Sequence, residues 1–490
     1  MQMHTPLLSA AAGCVLLASC AVGPDYQRPR EPLPQAFKET GPWKEAVPAD
    51  LLARGDWWAV FDDPVLNQIE ADAHRASPRL HAAMARVDQA RAIAGIAQSY
   101  LYPTITVEAT AGRFGVSGNR PDQPSKLPTN RDYETNAFRV PLYASYEIDV
   151  WGKLRRLNES ALAQVEATLA GYQTVLLTLE ADIAQTYFAL RVTDEDLRIL
   201  AANFDLQRRA RDLVAARRQG GLASELDLAR VETELASTEA QTQASVRRRM
   251  ELEASLAVLV GKLPESFSVA AQPLSLKAPA VPAGLPSELL ERRPDVAQAE
   301  RLLAARNAEI GLAQAAWFPS IRLTGAVGFE SNELNSLLDK ESTILGITAS
   351  LAQPIFDGGR ISGNIERAKA AYLENLSNYR QQILVAFQEV DSTLGGLRVL
   401  SDQADAQSRA MVNAEKASVL ATVRYRAGLV IVLEVIDAQR TSLQAQRQNL
   451  QILNQQLTTS VALAKALGGG WAEPRAPASS QQTASLRPQS

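Results

Sequence analysis

Few residues in this chain have types and spacing with sharp chemical meaning. Cys20 closes the run Leu17-Ala18-Ser19-Cys20. A small residue before a cysteine admits a signal peptidase, and the thiol, already carrying a diacylglycerol, becomes the mature N-terminus. Leu433 and Asp437 are four apart, so an apolar and an acidic side chain share one helix face. Just before them stand Arg424-Tyr425-Arg426-Ala427-Gly428-Leu429, and a fainter copy lies earlier, at Arg217-Arg218-Gln219-Gly220-Gly221-Leu222, with Glu225 and Asp227 behind it. In both, glycine allows a tight helical tip and leaves an apolar knob, Leu222 or Leu429, for a partner. Enzyme chemistry has no foothold: there is no Gly-rich phosphate loop, nucleophile elbow or zinc spacing, and Asp and Glu are scattered over helix-surface positions. His74 and His81 share a helix face but have no cysteine or third ligand nearby, so no metal is expected.

The N-terminus sets the compartment. Pro6 through Ala18 is an apolar core too short to span a bilayer, so residues 1-19 read as a signal peptide, although its first residues hold only His4 and no Lys or Arg. Cys14 falls inside that peptide, so the mature chain can form no internal disulfide, and packing must stabilise it. No later run of about eighteen apolar residues offers a transmembrane helix. Membrane insertion, if it occurs, must use strands. The net charge of -4 points to neither nucleic acid nor a strongly charged partner.

The elements that must position these residues come twice. Residues 20-55 are Pro-rich and polar, a lipidated tether. Repeat 1, 56-262, opens with Trp57-Trp58 and a helix from Pro78, then gives a β-hairpin over 103-150 in which Ile105, Val107, Ala109 and Ala111 alternate with polar residues. The second alternating run is Phe138 to Val150. After Gly152 apolar residues step by threes and fours as far as Arg217, roughly 65 residues or about 100 Å of helix. A return helix completes the long hairpin 153-261. An equatorial linker, 263-286, leads to repeat 2, 287-470, with its helix, β-hairpin 319-356 and long helical hairpin 361-467. The offset between repeats is about 216 before the strands and about 207 after them, so the difference sits in a loop, where insertions are tolerated. Gly395-Gly396 stands mid-helix, where a bend or close crossing is conceivable and plain packing is the simpler reading. The tail, 471-490, reads as disordered.

Four strands cannot enclose a solute path, and an open sheet edge cannot face lipid. The sheet must be shared between chains. Taken in order, Cys20 with Gly23-Pro24-Asp25-Tyr26, Trp57-Trp58 with Asp63-Pro64, Arg292-Arg293-Pro294-Asp295, Trp317-Phe318-Pro319, Arg424 to Gly428 and Asp437-Ala438-Gln439-Arg440 make the chain similar to the TolC-like outer membrane efflux proteins, in the lipoprotein (NodT/OprM-like) subfamily of resistance-nodulation-division systems. The resemblance covers nearly the whole mature chain. It implies an α+β membrane protein: a homotrimer whose twelve-stranded outer membrane β-barrel, four strands per chain, continues into a periplasmic α-helical barrel with an equatorial domain. It implies a passive exit duct for drugs or other small toxic compounds, fed by an inner membrane transporter through a periplasmic adaptor. No cofactor is implied, only the diacylglycerol and N-acyl chains on Cys20. Leu433 and Asp437 would point into the lumen as a periplasmic gate, with Tyr425, Arg424 and Arg426 as tethers and Asp227 or Glu225 as acceptors. Gly221, Leu222, Gly428 and Leu429 would meet the adaptor. The first tip carries Asp227 where the second has Glu434, and it offers Tyr425 no partner. Two rival readings are a structural coiled-coil envelope lipoprotein, which leaves the strands and duplication unexplained, and the exit duct of a type I protein secretion system.

Overall fold

A computed structural model describes residues 21–29, 56–117, 132–272 and 293–469. The signal peptide, Cys20, nearly all of the tether beyond residue 29, most of the linker and the tail lie outside the described residues. The helices are α1 (Pro64–Ala76), α2 (Pro78–Ser99), α3 (Lys153–Gln219), α4 (Glu225–Val260), α5 (Pro294–Ala315), α6 (Arg360–Arg426) and α7 (Val432–Ala466). The strands are β1 (Thr104–Val107), β2 (Thr110–Val116), β3 (Tyr133–Ile148), β4 (Ser320–Ser331) and β5 (Thr343–Ala352). Both long helices run 67 residues, and α6 passes through Gly395-Gly396 without interruption. A methyl at Gly396 would meet only Thr459, at an ordinary 3.8 Å, which fits packing rather than a hinge.

The chain forms two compact units, each drawing on both repeats: one holds 21–29, Arg86–Leu169 and Gln298–Tyr379, the other 56–85, Ala170–Ala297 and 380–469.

The first unit carries the sheet, antiparallel in the order β1-β3-β4-β5, with β2 also on β3. The run from Thr104, expected as one strand, is interrupted at Glu108 and Ala109, yet both parts keep the same register against β3: Val107 lies opposite Leu142 and Thr110 opposite Arg139. The cause is Pro141, which faces the interruption and has no N–H to give; Glu108 N donates to the Pro141 carbonyl at 3.1 Å, and nothing returns the bond. On the other side Pro141 lies opposite Gly328, where a Cβ would come within 2.3 Å of the Val140 carbonyl oxygen. Register puts Val107, Leu142, Val327 and Leu345 in one row across the sheet, all exposed. The next row on the same side is Ile105, Ala144, Gly325 and Ile347, while the other side presents Thr104, Ser145, Thr324 and Thr348.

Below the strands, the Asp149 carboxylate caps α3 through Leu154 N (3.0 Å) and Arg155 N (2.9 Å), and Trp151 stacks on Phe318 at 4.7 Å. Residues 21–29 are tied into this unit. Val22 N donates to the Trp151 carbonyl, and the buried Arg156 guanidinium donates to Asp25 Oδ1 (2.7 Å) and to the Val22 and Gly23 carbonyls. Tyr26 donates to Glu300 at 2.7 Å, and Asn307 to the Pro24 carbonyl at 2.8 Å. Gly23 packs on Gly311 so closely that a Cβ would stand 2.3 Å from the Gly311 Cα.

In the second unit, Trp57, Trp58 and Phe61 anchor a core with Leu66, Ile69, Leu179, Ile183, Tyr187 and Phe188. Asp63 links the two ends of this core: Oδ1 caps α1 and Oδ2 accepts from Tyr187 at 2.7 Å. Arg293, nearly fully buried, donates to Asp295, to Glu389 at 2.6 Å and to the Ala466 carbonyl at the end of α7. Arg249 bridges Asp194 (2.7 Å) and the Val269 carbonyl (2.6 Å), holding the chain that follows α4.

Candidate functional site

The two helical tips have the same backbone chemistry. At the first, Leu222 N donates to the Arg217 carbonyl (2.8 Å) and Gly221 N to that of Arg218 (2.9 Å); at the second, Leu429 N donates to Arg424 and Gly428 N to Tyr425, both at 2.9 Å. Gly221 and Gly428 sit at φ 74° and 73°. This is the Schellman closure, which satisfies the last helix carbonyls through a left-handed residue that glycine enters without penalty. A Cβ would meet nothing within 4 Å at either glycine, so φ, not crowding, is the requirement. The leucine after each glycine, usually tucked back onto its helix, stands out here: Leu222 is 81% and Leu429 69% exposed.

Behind the knobs, Val214, Leu228, Val231, Tyr425, Val432, Val435 and Ile436 form a small buried core. Leu433 and Asp437 fall on the other side of α7, half-buried and exposed, and so share a face turned away from that core. The expectation that the first tip offers Tyr425 no partner is corrected. Arg217 lies over the Tyr425 ring at 4.4 Å and donates to the Tyr425 and Arg426 carbonyls, each at 3.2 Å. A cation over a ring and a donor to helix-end carbonyls act together here, tying one tip to the other.

The proposed acceptors are also reassigned. Asp227 accepts from the Ser224 hydroxyl at 2.8 Å and from its backbone N–H at 3.0 Å, while Asp227 N donates to Ser224 Oγ, a capping box at the start of α4. Those bonds, the backbone one first, hold its carboxyl below the usual range. Glu225 is ion-paired to Arg218. Both acidic groups are therefore engaged within their own hairpin, and neither reaches Tyr425. Arg424 and Arg426 are exposed without a carboxylate partner among the described residues.

Further cross-links between the hairpins lie beyond the tips. Arg440 of α7 pairs with Glu234 of α4, one turn beyond Asp437, and the Glu234 hydrogen bond and charge, with Asp437 adding to them, raise the guanidinium above its ordinary value. Further along, Arg447 donates to Asp196 Oδ1 of α3 (2.7 Å) and to Gln241 of α4 (2.7 Å), and Asp196 also accepts from Ser245 at 2.7 Å. The sequence reading missed Glu234, Arg440 and Arg447 as partners. Their only signal is placement on facing helices about 206 residues apart, close to the repeat offset. His74 binds Glu180 (3.0 Å) rather than His81, and no three metal-binding side chains cluster among the described residues.

Comparison with known proteins adds to this geometry. The sequence model of the family described as outer membrane efflux protein matches residues 71–262 and 285–469. The chain is 36% identical to the pyoverdine export outer membrane protein OpmQ of Pseudomonas putida over 434 residues, 87% of this chain and 90% of that one. It is 33% identical to the toluene efflux pump outer membrane protein TtgF of Pseudomonas putida over 482 residues, 96% of this chain and 98% of that one. Among solved structures, the outer membrane channel OprN superposes with TM-score 0.84 at 30% identity, covering 92% of this chain and all, 100%, of that one. The open state of the Neisseria gonorrhoeae MtrE outer membrane channel gives TM-score 0.81 at 28% identity over 92% and 98%.

Proposed function

The chain belongs to the outer membrane efflux protein family, an outer membrane channel component of an efflux system, and we propose that it is the passive exit duct of a tripartite pump, fed by an inner membrane resistance-nodulation-division transporter through a periplasmic adaptor. The observation that carries this is the sheet: one side is a continuous exposed apolar surface across four strand lines, the other is threonine- and serine-rich, and both edges, β1/β2 and β5, are unpaired among the described residues. Three copies joined edge to edge close twelve strands with the apolar side to lipid and the polar side to a water-filled lumen. Cys20, immediately before the docked segment, carries the diacylglycerol and N-acyl chains.

The tips complete the reading. Leu433 and Asp437, facing away from the tip core, line the lumen in three copies as a dry constriction followed by a carboxylate ring, and Leu222 and Leu429 are knobs for the adaptor. The relatives named for pyoverdine and toluene export suggest small organic molecules as cargo, chosen by the pump and not by the duct. In planar bilayers the purified protein should form channels, and Leu433→Ala with Asp437→Ala should raise their conductance. Wild-type conductance in the double variant would remove these residues from the closure, and absence of any channel would remove the duct. The envelope-lipoprotein reading accounts for neither side of the sheet.

A further inference from the structure

The core of the second unit contains a carboxyl group with no hydrogen-bond partner among the described residues. Glu70 lies on α1 among Leu66, Ile69 and Ala73, is 0% exposed, and neither of its oxygens has a hydrogen-bond partner. Its neighbour Glu180 on α3, itself buried, is in the opposite condition: its oxygens accept from Trp57 Nε1 at 2.9 Å and, with that ring nitrogen protonated, from His74 Nε2 at 3.0 Å.

The charged groups around Glu70 do not neutralise it. Glu180 from α3 and Asp56 from the segment before Trp57 both act on it with like sign. On its own helix His74 is committed to Glu180, and Asp72 points to Arg75 and Lys262, the cation that follows α4. On α3, Arg191 is bound to Asp194, and Tyr187 to Asp63. To this core α4 adds Leu256 and Val260, and α7 adds Leu457, Val461 and Ala464, all apolar. A metal ion does not resolve the matter, because no three metal-binding side chains are grouped among the described residues.

An isolated buried carboxylate is far more costly than the neutral acid, and a second carboxylate nearby adds repulsion. We propose that Glu70 is a buried proton-binding site: it packs as the neutral acid beside Glu180, whose oxygens accept from Trp57 and His74, and this unit takes up one proton from water when it folds and releases it when it unfolds. Only an O–H bond on Glu70 is made or broken. Burial first, then the charges of Glu180 and Asp56, push the Glu70 carboxyl well above its ordinary value of 4.5. With the folded value raised, folded Glu70 binds its proton more tightly than unfolded Glu70 does, so its contribution to stability is greatest below that ordinary value. It declines as pH rises, until the raised value has been passed. The unit is thus an alkaline-sensitive element in a compartment open to the medium.

The test is the apparent thermal midpoint of the purified full-length protein in detergent, from about pH 5 to about pH 9. The wild type should lose several degrees across this range, and Glu70→Gln should flatten the profile; parallel profiles overturn the proposal. Should Glu70→Gln fail to fold, Glu70→Leu replaces it with the same expectation. Infrared difference spectroscopy of the wild type reads the proton directly. A buried carboxylic carbonyl band should be present at neutral pH and vanish at alkaline pH, and its absence at neutral pH equally overturns the site.

Discussion

Arg293 makes three different kinds of bond from one buried guanidinium: a fork to Asp295, an ion pair to Glu389 and a cap on the Ala466 carbonyl. Removing one member of such a group strands the others, so Arg293→Ala should cost about 3 to 5 kcal/mol, read as a lower denaturant midpoint at unchanged slope. Asp295 gives this cluster an acid-side signature. Burial alone would raise its carboxyl, but the Arg293 hydrogen bond and charge outweigh burial and hold it below the ordinary 3.8. A depressed carboxylate adds stability above that value and loses it as pH falls further, so acid unfolding of the wild type should be steeper than that of Asp295→Asn. At this scale the sequence was only partly legible. Leu433 and Asp437 share a face because a four-residue step on a helix makes them do so, and the fold keeps that face off the tip core. Arg217 over Tyr425 could not be read, because stacking between residues 208 apart depends on how two hairpins lie against one another and not on either pattern alone.

Among the elements, α4 begins with a reciprocal cap that the sequence placed as a possible lock. Ser224→Ala removes the hydroxyl half of it, leaving the residue 224 backbone N–H on Asp227, and should cost about 1 kcal/mol, measured by thermal unfolding, with conductance unchanged. The tips behave differently, since their glycines are fixed by φ and their leucines stand exposed among the described residues. Gly428→Asp, or a bulkier charged residue there, should abolish resistance while leaving the amount of protein in the outer membrane unaltered; a parallel loss of the protein would make the tip a folding element only. Strand alternation located the pleated runs, but the interruption at Glu108 and Ala109 followed from a proline on the partner strand, visible only once Pro141 is known to lie opposite. The same pairing predicts that Gly328→Val cannot be accommodated beside Pro141 and should lower the amount of folded protein recovered from the outer membrane, read on immunoblots.

For the whole molecule, the duplication was the most legible property, because it needs only a repeated order of elements: helix, strands, long helix, tip, return helix. It was also the most easily over-read, since repeat and compact unit turn out to be different divisions. Each unit takes segments from both copies, and the sheet pairs β3 of the first with β4 of the second along eleven residue pairs. Neither half therefore owns a complete core or a complete strand set. A chain cut between residues 272 and 293 should recover function only when both halves are made in the same cell, and each half alone should be degraded. A half-length chain with this order of elements would leave β3 or β4 without its partner and its core faces uncovered, so it could bury them only against further copies of itself.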